Sequence, residues 1–316
     1  MSSSQPGLAL QMLESIGMDP QHAFGDDVAR IEVHANQVIG VKLVPGLQVE
    51  ADETADGIQA AIRVEAGAQI AQPVHVCFGI IPEDGLQLVD LDIHIEEQAQ
   101  VSILAHCTFP NAKQVEHRME AAIRVDAGAS YQYFERHVHG PHGGVQVIPN
   151  ARIVLQENAV FSTEFELIKG RAGKIAFDYQ AECRDRSLLE MTARISGRDD
   201  DVIAIRECAD LVGAEARAVL ISHIALRDKA SADIYNRIVA SGDHARGHVD
   251  CKEIVVGNAV AKATPIVEVR NATAHVTHEA AIGSVDSKQL QTLLSRGLDE
   301  DTATGLIIEG LLSKQT

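Results

Sequence analysis

The sequence contains no tryptophan, and only 3% of its 316 residues are aromatic. A core without large rings has to be filled by small and β-branched side chains. Alanine, isoleucine and valine are plentiful here, which favours tightly stacked strands over a bulky globular interior. Positive charge is also scarce. With 27 Lys and Arg against 45 Asp and Glu, the net charge of -18 argues against a nucleic-acid partner, because phosphate binding needs clustered cations. No run of about 18 apolar residues exists, so no membrane span is expected. The N-terminal MSSSQPGLALQMLESIGMD has no basic stretch leading into a long apolar core, so it does not read as a signal peptide. The five cysteines (Cys77, Cys107, Cys183, Cys208 and Cys251) are odd in number and share no CxxC spacing. That usage fits a reducing cytoplasm better than a disulfide framework. Enzyme motifs are missing too: there is no HExxH, GxSxG or GxGxxG. Gly173-Lys174 lacks the upstream glycine of a phosphate loop, so ATP hydrolysis is not expected from this chain.

What is present is periodicity. Leu8, Leu10, Met12, Leu13 and Ile16 have a loose helical spacing with Gly17 as a stop, predicting one short helix that ends in the turn Met18 to Gln21. From about Asp27 the period becomes two. A phrase then recurs as IRVEAGAQI from Ile62, IHIEEQAQV from Ile93, IRVDAGASY from Ile123 and IVLQENAVF from Ile153, with starts 31, 30 and 30 residues apart. Weaker echoes start at Ile224, Ile254 and Val267. Short strands at a fixed period are the mark of stacked coils, each burying its face against its neighbours. A β-solenoid is therefore favoured over hairpins of matching length. After Asp286 the period turns helical. Asp286 with Gln289 forms a candidate capping box, and Leu290, Leu293 and Leu294 line one face. Arg296-Gly297 closes that helix, and Asp299 can cap a second one carrying Ala303, Leu306, Ile307 and Leu311. This hairpin either caps the open end of the solenoid or offers a docking surface; periodicity does not separate the two. The expected divisions are a helical segment at 1–26, a β-helix core at 27–283 and the hairpin at 284–316.

Three places could carry chemistry. Around Arg270 to Gly283, the residues Ala272, Ala274 and Val276 form an apolar side, so His275, Thr277 and Glu279 face the other way and His278 falls on the apolar side. Cys251 lies among His244, His248, Asp250 and Glu253, a donor set suited to iron or zinc. It shares its parity with Val249, so an inert buried thiol is the competing reading. In RHVHGPHGG, His137 and His139 share a face with His142 nearby. A metal site there competes with a polar strand end and turn, and the lack of a cysteine or carboxylate at fixed spacing favours the latter. Cys77 and Cys107 read as core, Cys183 and Cys208 are undecided, and Ser196 to Asp201 reads as a solvated acidic turn.

The segment from His278 to Leu312, HEAAIGSVDSKQLQTLLSRGLDEDTATGLIIEGLL, resembles the C-terminal signature of the SufB/SufD family of iron–sulfur cluster assembly scaffolds. Gly257 to Val276 resembles that family's final β-coils, and the chain is most similar to a short, archaeal-like form. The resemblance implies a right-handed parallel β-helix flanked by a short N-terminal helix and a C-terminal helical hairpin. It implies a non-enzymatic scaffold for a nascent iron–sulfur cluster, acting as a homodimer through the β-helix with a SufC-type ABC ATPase docked on the hairpin. Within the motif Glu279 matches the glutamate implicated in cluster assembly, and His278 matches the adjacent histidine. The cysteine that SufB-type scaffolds place after Gly-Asn is replaced here by Val260, which leaves Cys251 as the substitute. The expected metal ligands are Cys251, Glu279 and His278, and the expected docking residues are Leu290, Leu294, Leu306 and Ile307. The competing classes are a structural β-solenoid interaction module without metal and a metal-dependent enzyme using His137 to His142.

Overall fold

The computed structural model describes residues 5–15 and 28–313. Helix α1 (Gln5–Ser15) precedes nineteen strands, and helices α2 (Ser287–Leu294) and α3 (Glu300–Leu312) follow them. The turn expected at Met18 to Gln21 lies outside the described residues. The strands are β1 (Arg30–His34), β2 (Gln37–Lys42), β3 (Leu47–Glu53), β4 (Gly57–Val64), β5 (Val74–Gly79), β6 (Asp84–Ile95), β7 (Gln100–Phe109), β8 (Gln114–Val125), β9 (Ser130–His139) and β10 (Val145–Leu155). They continue as β11 (Val160–Lys169), β12 (Lys174–Cys183), β13 (Leu188–Gly197), β14 (Val202–Leu211), β15 (Arg217–Leu226), β16 (Ser231–Ala240), β17 (Arg246–Val255), β18 (Val260–Val269) and β19 (His275–Gly283).

From β4 onward odd and even strands go to opposite walls. One sheet runs β19-β17-β15-β13-β11-β9-β7-β5-β1-β2, the other β18-β16-β14-β12-β10-β8-β6-β4-β3. Pairing is parallel throughout, except that β1 pairs with β2 and β3 with β4 antiparallel at the N-terminal end. The chain is thus a parallel β-solenoid with two strands per coil, as the recurring phrases predict. Ile153 sits beside Ile123 on one side and Ala181 on the other, one coil away in each direction. Inward positions such as Val125, Leu155, Cys183 and Leu211 stack in a column with no exposure. Cys183, undecided from sequence, is a core residue.

The corners explain the phrases. The four strong ones are turns from an even strand to the next odd strand, where Gly67, Gln98, Gly128 or Asn158 takes a positive φ. The echo from Val267 is a corner of this kind, while those from Ile224 and Ile254 are the opposite corners. One residue after the left-handed position comes a small residue: Ala99, Ala129, Ala159, Ser187, Ala216 and Ala245 are all fully buried. Successive coils lie about 4.8 Å apart, so a column of inward corner side chains has room for a methyl and little more. At the opposite corners the small position is filled by Ala172, Asp201 and Ala230. Asp201 corrects the expected solvated turn. Its carboxylate is buried and accepts from the backbone N–H groups of Ala172 and Gly173 (2.9 Å each) and Arg198 (3.0 Å), with Arg171 beside it.

The helices dress this frame. Met12 of α1 is buried against Cys77, with Ile39 and Ile81. The expected caps are present: Asp286 accepts from Gln289 N (2.7 Å) and Asp299 from Thr302 N (2.9 Å), while Gly297 has φ +90°. The apolar face of α3 differs from the one expected. Ile308 and Leu312 pack on Ala225, with Ile168, Ile254 and Val256 around them, which leaves Leu306 exposed. The hairpin lies on the flank formed by β13 and β15, not as a lid over the last coil. Among the described residues, no helix is long and apolar enough to cross a membrane.

The corner column yields a test. Ala216→Leu adds three carbons where no space exists and is expected to destabilise the fold by about 1–3 kcal/mol. The same change at exposed Gln59 is expected to stay within about 0.5 kcal/mol. The urea midpoint, read by circular dichroism, checks both.

Candidate functional site

The last two coils carry the residues singled out by the sequence, and the alternation of a strand decides which of them can meet. On β17, Val249, Cys251 and Glu253 point inward, so Asp250 and Lys252 point out. β19 lies against β17 with Val249 beside His278, Asp250 beside Glu279 and Cys251 beside Ala280. His278 therefore continues the inward row, with Ala280 between it and Ile282, and Glu279 continues the outward row. The expected trio is divided: Cys251 and His278 face the solenoid axis, Glu279 faces the flank. Cys251 is fully buried, whereas β19 from Thr277 to Gly283 is exposed because no further coil covers it.

Sequence reading missed most of what surrounds Cys251. Glu207 and Asn236 are neighbours on the even wall, and Ser222 and Cys251 on the odd wall. The four side chains meet across the interior. With its amide nitrogen toward Glu207 Oε2 (3.2 Å) and the Tyr235 carbonyl (3.2 Å), Asn236 turns its oxygen to accept from Ser222 Oγ (2.9 Å). The same end of the amide lies 3.6 Å from Cys251 Sγ and accepts the thiol proton. Burial pushes the Cys251 thiol up to about 12, with the Glu253 carboxylate adding to the shift. Burial alone pushes Glu207 up to about 8. Glu253, whose two oxygens have no partner, is pushed up to about 7 by burial and then by Asp250. Glu207 interrupts the inward series Ile203, Ile205, Ala209, Leu211, and Asn236 interrupts Ile234, Ile238, Ala240. A polar residue at an apolar parity is the signal that could have found them. One coil further out Pro265 lies beside Asn236 and Ala280 beside Cys251, both on the terminal strands.

Outside, Asp250 is held by Lys252 Nζ (3.0 Å) and lies 3.4 Å from His223 Nε2, and the charge of Glu279 also acts on Lys252. His248 Nδ1 meets Thr277 Oγ1 at 2.8 Å. On the same flank a groove of about 950 Å³ runs between β19 and the hairpin, lined by Ile254, Ala281, Ile282, Leu293, Leu306 and Ile307 among others. Of the expected docking residues, Leu306 and Ile307 line it, Leu294 is exposed beside it and Leu290 is half-buried. Val260 opens β18 on the other wall, exposed. Cys208 is buried, with Arg237 beside it on the next coil.

The two raised carboxyls set a pH dependence. A carboxyl whose folded pKa lies above its unfolded value binds its proton more tightly in the native state. Its stabilising contribution is therefore complete below about 4.5 and is lost as pH rises toward about 8 for Glu207. In that window native stability is expected to fall by up to about 1.4 kcal/mol per pH unit from this group. Glu207→Gln is expected to flatten the slope, and urea unfolding at a series of pH values measures it.

Comparison with known proteins bears on these residues. Residues 80–311 match the family model described as "SUF system FeS cluster assembly, SufBD core domain". An iron–sulfur cluster assembly SufBD family protein of Methanocaldococcus jannaschii is 36% identical over 283 residues, covering 90% of each chain. One from Pyrococcus horikoshii is 35% identical over 305 residues, covering 96% of this chain and 93% of its own. The iron–sulfur cluster assembly protein SufB of Bacillus subtilis is 25% identical over 264 residues, covering 81% of this chain and 55% of its own. With the family model spanning β6 to α3 and the archaeal relatives spanning almost the whole chain, the protein belongs to the SufBD family of iron–sulfur cluster assembly proteins.

Proposed function

We propose that this chain is a non-enzymatic scaffold on which an iron–sulfur cluster is built at the open end of the solenoid, with a second copy of the chain completing the site. The observation that carries the reading is the terminal coil. Among the described residues its edge strands β18 and β19 have no outer neighbour, and β19 sets His278 and Glu279 one strand away from the row Val249-Asp250-Cys251. An uncovered strand edge is a template for pairing. Two copies related by a two-fold axis would bring two such rows together, each offering Cys251 as thiolate and His278 or Glu279 as nitrogen or oxygen donor. The cluster is cargo in this scheme, assembled and passed on.

Cys251 is protonated and covered by Ala280 in the single chain. Iron must therefore displace its proton, and the edge strand must yield to admit it. This movement is the task assigned to a SufC-type ABC ATPase docked on the hairpin at 284–316. Leu306 and Ile307 in the groove, with Leu294 and Leu290 on its helical rim, form the apolar seat, and ATP is hydrolysed in the partner. Five unpaired, buried thiols suit a reducing cytoplasm.

Anaerobic reconstitution of the purified chain with iron and sulfide, read by absorbance and Mössbauer spectra, tests the site. A cluster chromophore is expected in the original and not in Cys251→Ser or Glu279→Ala. A cluster that persists in Cys251→Ser removes the proposed ligand. Docking is tested separately by titrating the ATPase. Leu306→Asp is expected to weaken binding about tenfold or more with an unchanged circular dichroism spectrum, and equal binding would move the interface elsewhere.

A further inference from the structure

A second group of metal-ligating side chains lies four to five strands from β17 along the odd wall, deep in the solenoid. Cys107 of β7 and Glu135 and His137 of β9 point inward, and a sulfur, a carboxylate oxygen and an imidazole nitrogen lie within 4.8 Å of one another. All three are buried, His137 and Glu135 to within 1%. Cys107 Sγ is 3.7 Å from Glu135 Oε1, and His137 Nε2 is 2.6 Å from the same oxygen. Nothing in the terminal-coil reading uses them. The exposed His142, grouped with His137 in the sequence, takes no part.

The hydrogen bonds around this group fix which nitrogens are bare. The Arg171 carbonyl can only accept, so His139 Nδ1, 2.9 Å away, carries its proton and His139 Nε2 does not. That bare nitrogen lies 3.1 Å from His137 Nδ1, which must donate to it. His137 Nε2 is left to face Glu135 Oε1 at 2.6 Å, with Cys107 beside them, and either a proton or a cation has to lie between that nitrogen and the carboxylate. A parallel relay reaches His117. Gln87 donates its amide to the Ala35 carbonyl (2.7 Å), so its oxygen accepts from His117 Nδ1 (2.9 Å), leaving His117 Nε2 bare, buried and without a partner. Glu135 Oε2 is likewise buried without a partner. The His117 and His137 rings are 6.2 Å apart, with Phe109 and Phe165 against them. A second hydrogen bond that orients an imidazole is the usual support of a metal-bound histidine.

We propose that Cys107, Glu135 and His137, with His117 as the fourth donor, bind one borderline divalent cation such as Zn²⁺ or Fe²⁺ inside the solenoid. A thiolate and a carboxylate neutralise a dication, so the filled site has no net charge, which is the condition for burying ions in an apolar shell. Binding releases the Cys107 proton, and the cation replaces the proton that would otherwise have to lie between His137 and Glu135. The chain takes up the ion as it folds, since the coils close around it.

Element analysis of the full-length protein, purified anaerobically from zinc- or iron-supplemented cells and dialysed against chelator, tests this. About one ion per chain is expected. It should be absent from Cys107→Ala and kept by Cys251→Ser and by the neighbouring core variant Cys77→Ala. Protein produced with cobalt should show a thiolate-to-cobalt charge-transfer band that Cys107→Ala lacks. His139→Phe removes only the relay and should weaken retention about 10–100-fold. A folded chain without an ion, or Cys107→Ala with its ion retained, overturns the proposal and leaves a His137–Glu135 proton pair. Because Cys251→Ser removes the terminal cluster and not this ion, the two sites fail independently.

Discussion

Every coil of this protein has to turn two corners within a few residues while its neighbours lie less than a side chain away. That constraint decides the composition. Inward corner positions accept a methyl, a hydroxyl or, at Asp201, a carboxylate held by backbone N–H groups and Arg171, and this explains the alanine columns through Ala99, Ala129, Ala159, Ala216 and Ala245. The walls between corners are two sheets facing each other, which β-branched residues fill well. Several of the few aromatic residues gather in one layer of the core: Tyr131 stacks on Phe161 at 5.0 Å, and Phe165, Phe177 and Tyr179 pack together in sequence.

Against that apolar frame the inward polar residues stand out because each has to be compensated by a neighbour from the opposite wall or the next coil. Asn236 answers Glu207 and Ser222, while His139 and Arg171 fix His137. A buried polar network that is only partly satisfied is costly. Glu253, Glu135 and His117 each keep an atom without a partner, and all three lie in the two clusters to which chemistry is assigned. Tyr131 and His106 also keep a buried atom without a partner, so unsatisfied polarity points to a site only where several metal-ligating groups gather around it.

The period of two and the recurrence near 30 residues were enough to read the solenoid, because corner and strand each leave a local mark: a left-handed position followed by alanine, then alternation. The inward placement of His278 and the outward placement of Glu279 were readable for the same reason. What escaped was long-range. No local signal tells that Glu135 stands one coil from Cys107, or that Asn236 faces Ser222 across the interior, since these pairings depend on register between strands far apart in sequence. The hairpin shows a different failure. Its helical period was clear, but Leu306, Ile307 and Leu311 compete with Ile308 and Leu312 for the core side, and the second set is the one that packs on Ala225, a neighbour set by tertiary contact and not by the helix itself.

The two ends of the solenoid are chemically unlike. At the C-terminal end β18 and β19 present edges that run in the common direction of the coils. At the N-terminal end β2 and β3 have folded back, so the outermost strands run the opposite way. A copy stacked head to tail would meet a reversed strand and could not extend the parallel ladder. The coil pattern therefore stops at these two strands, and a seam formed there would be antiparallel, unlike the evenly spaced parallel ladders between the coils. The reversal of two short strands thus makes the two ends different in kind, so that stacking one copy on another would not simply repeat the seam between coils.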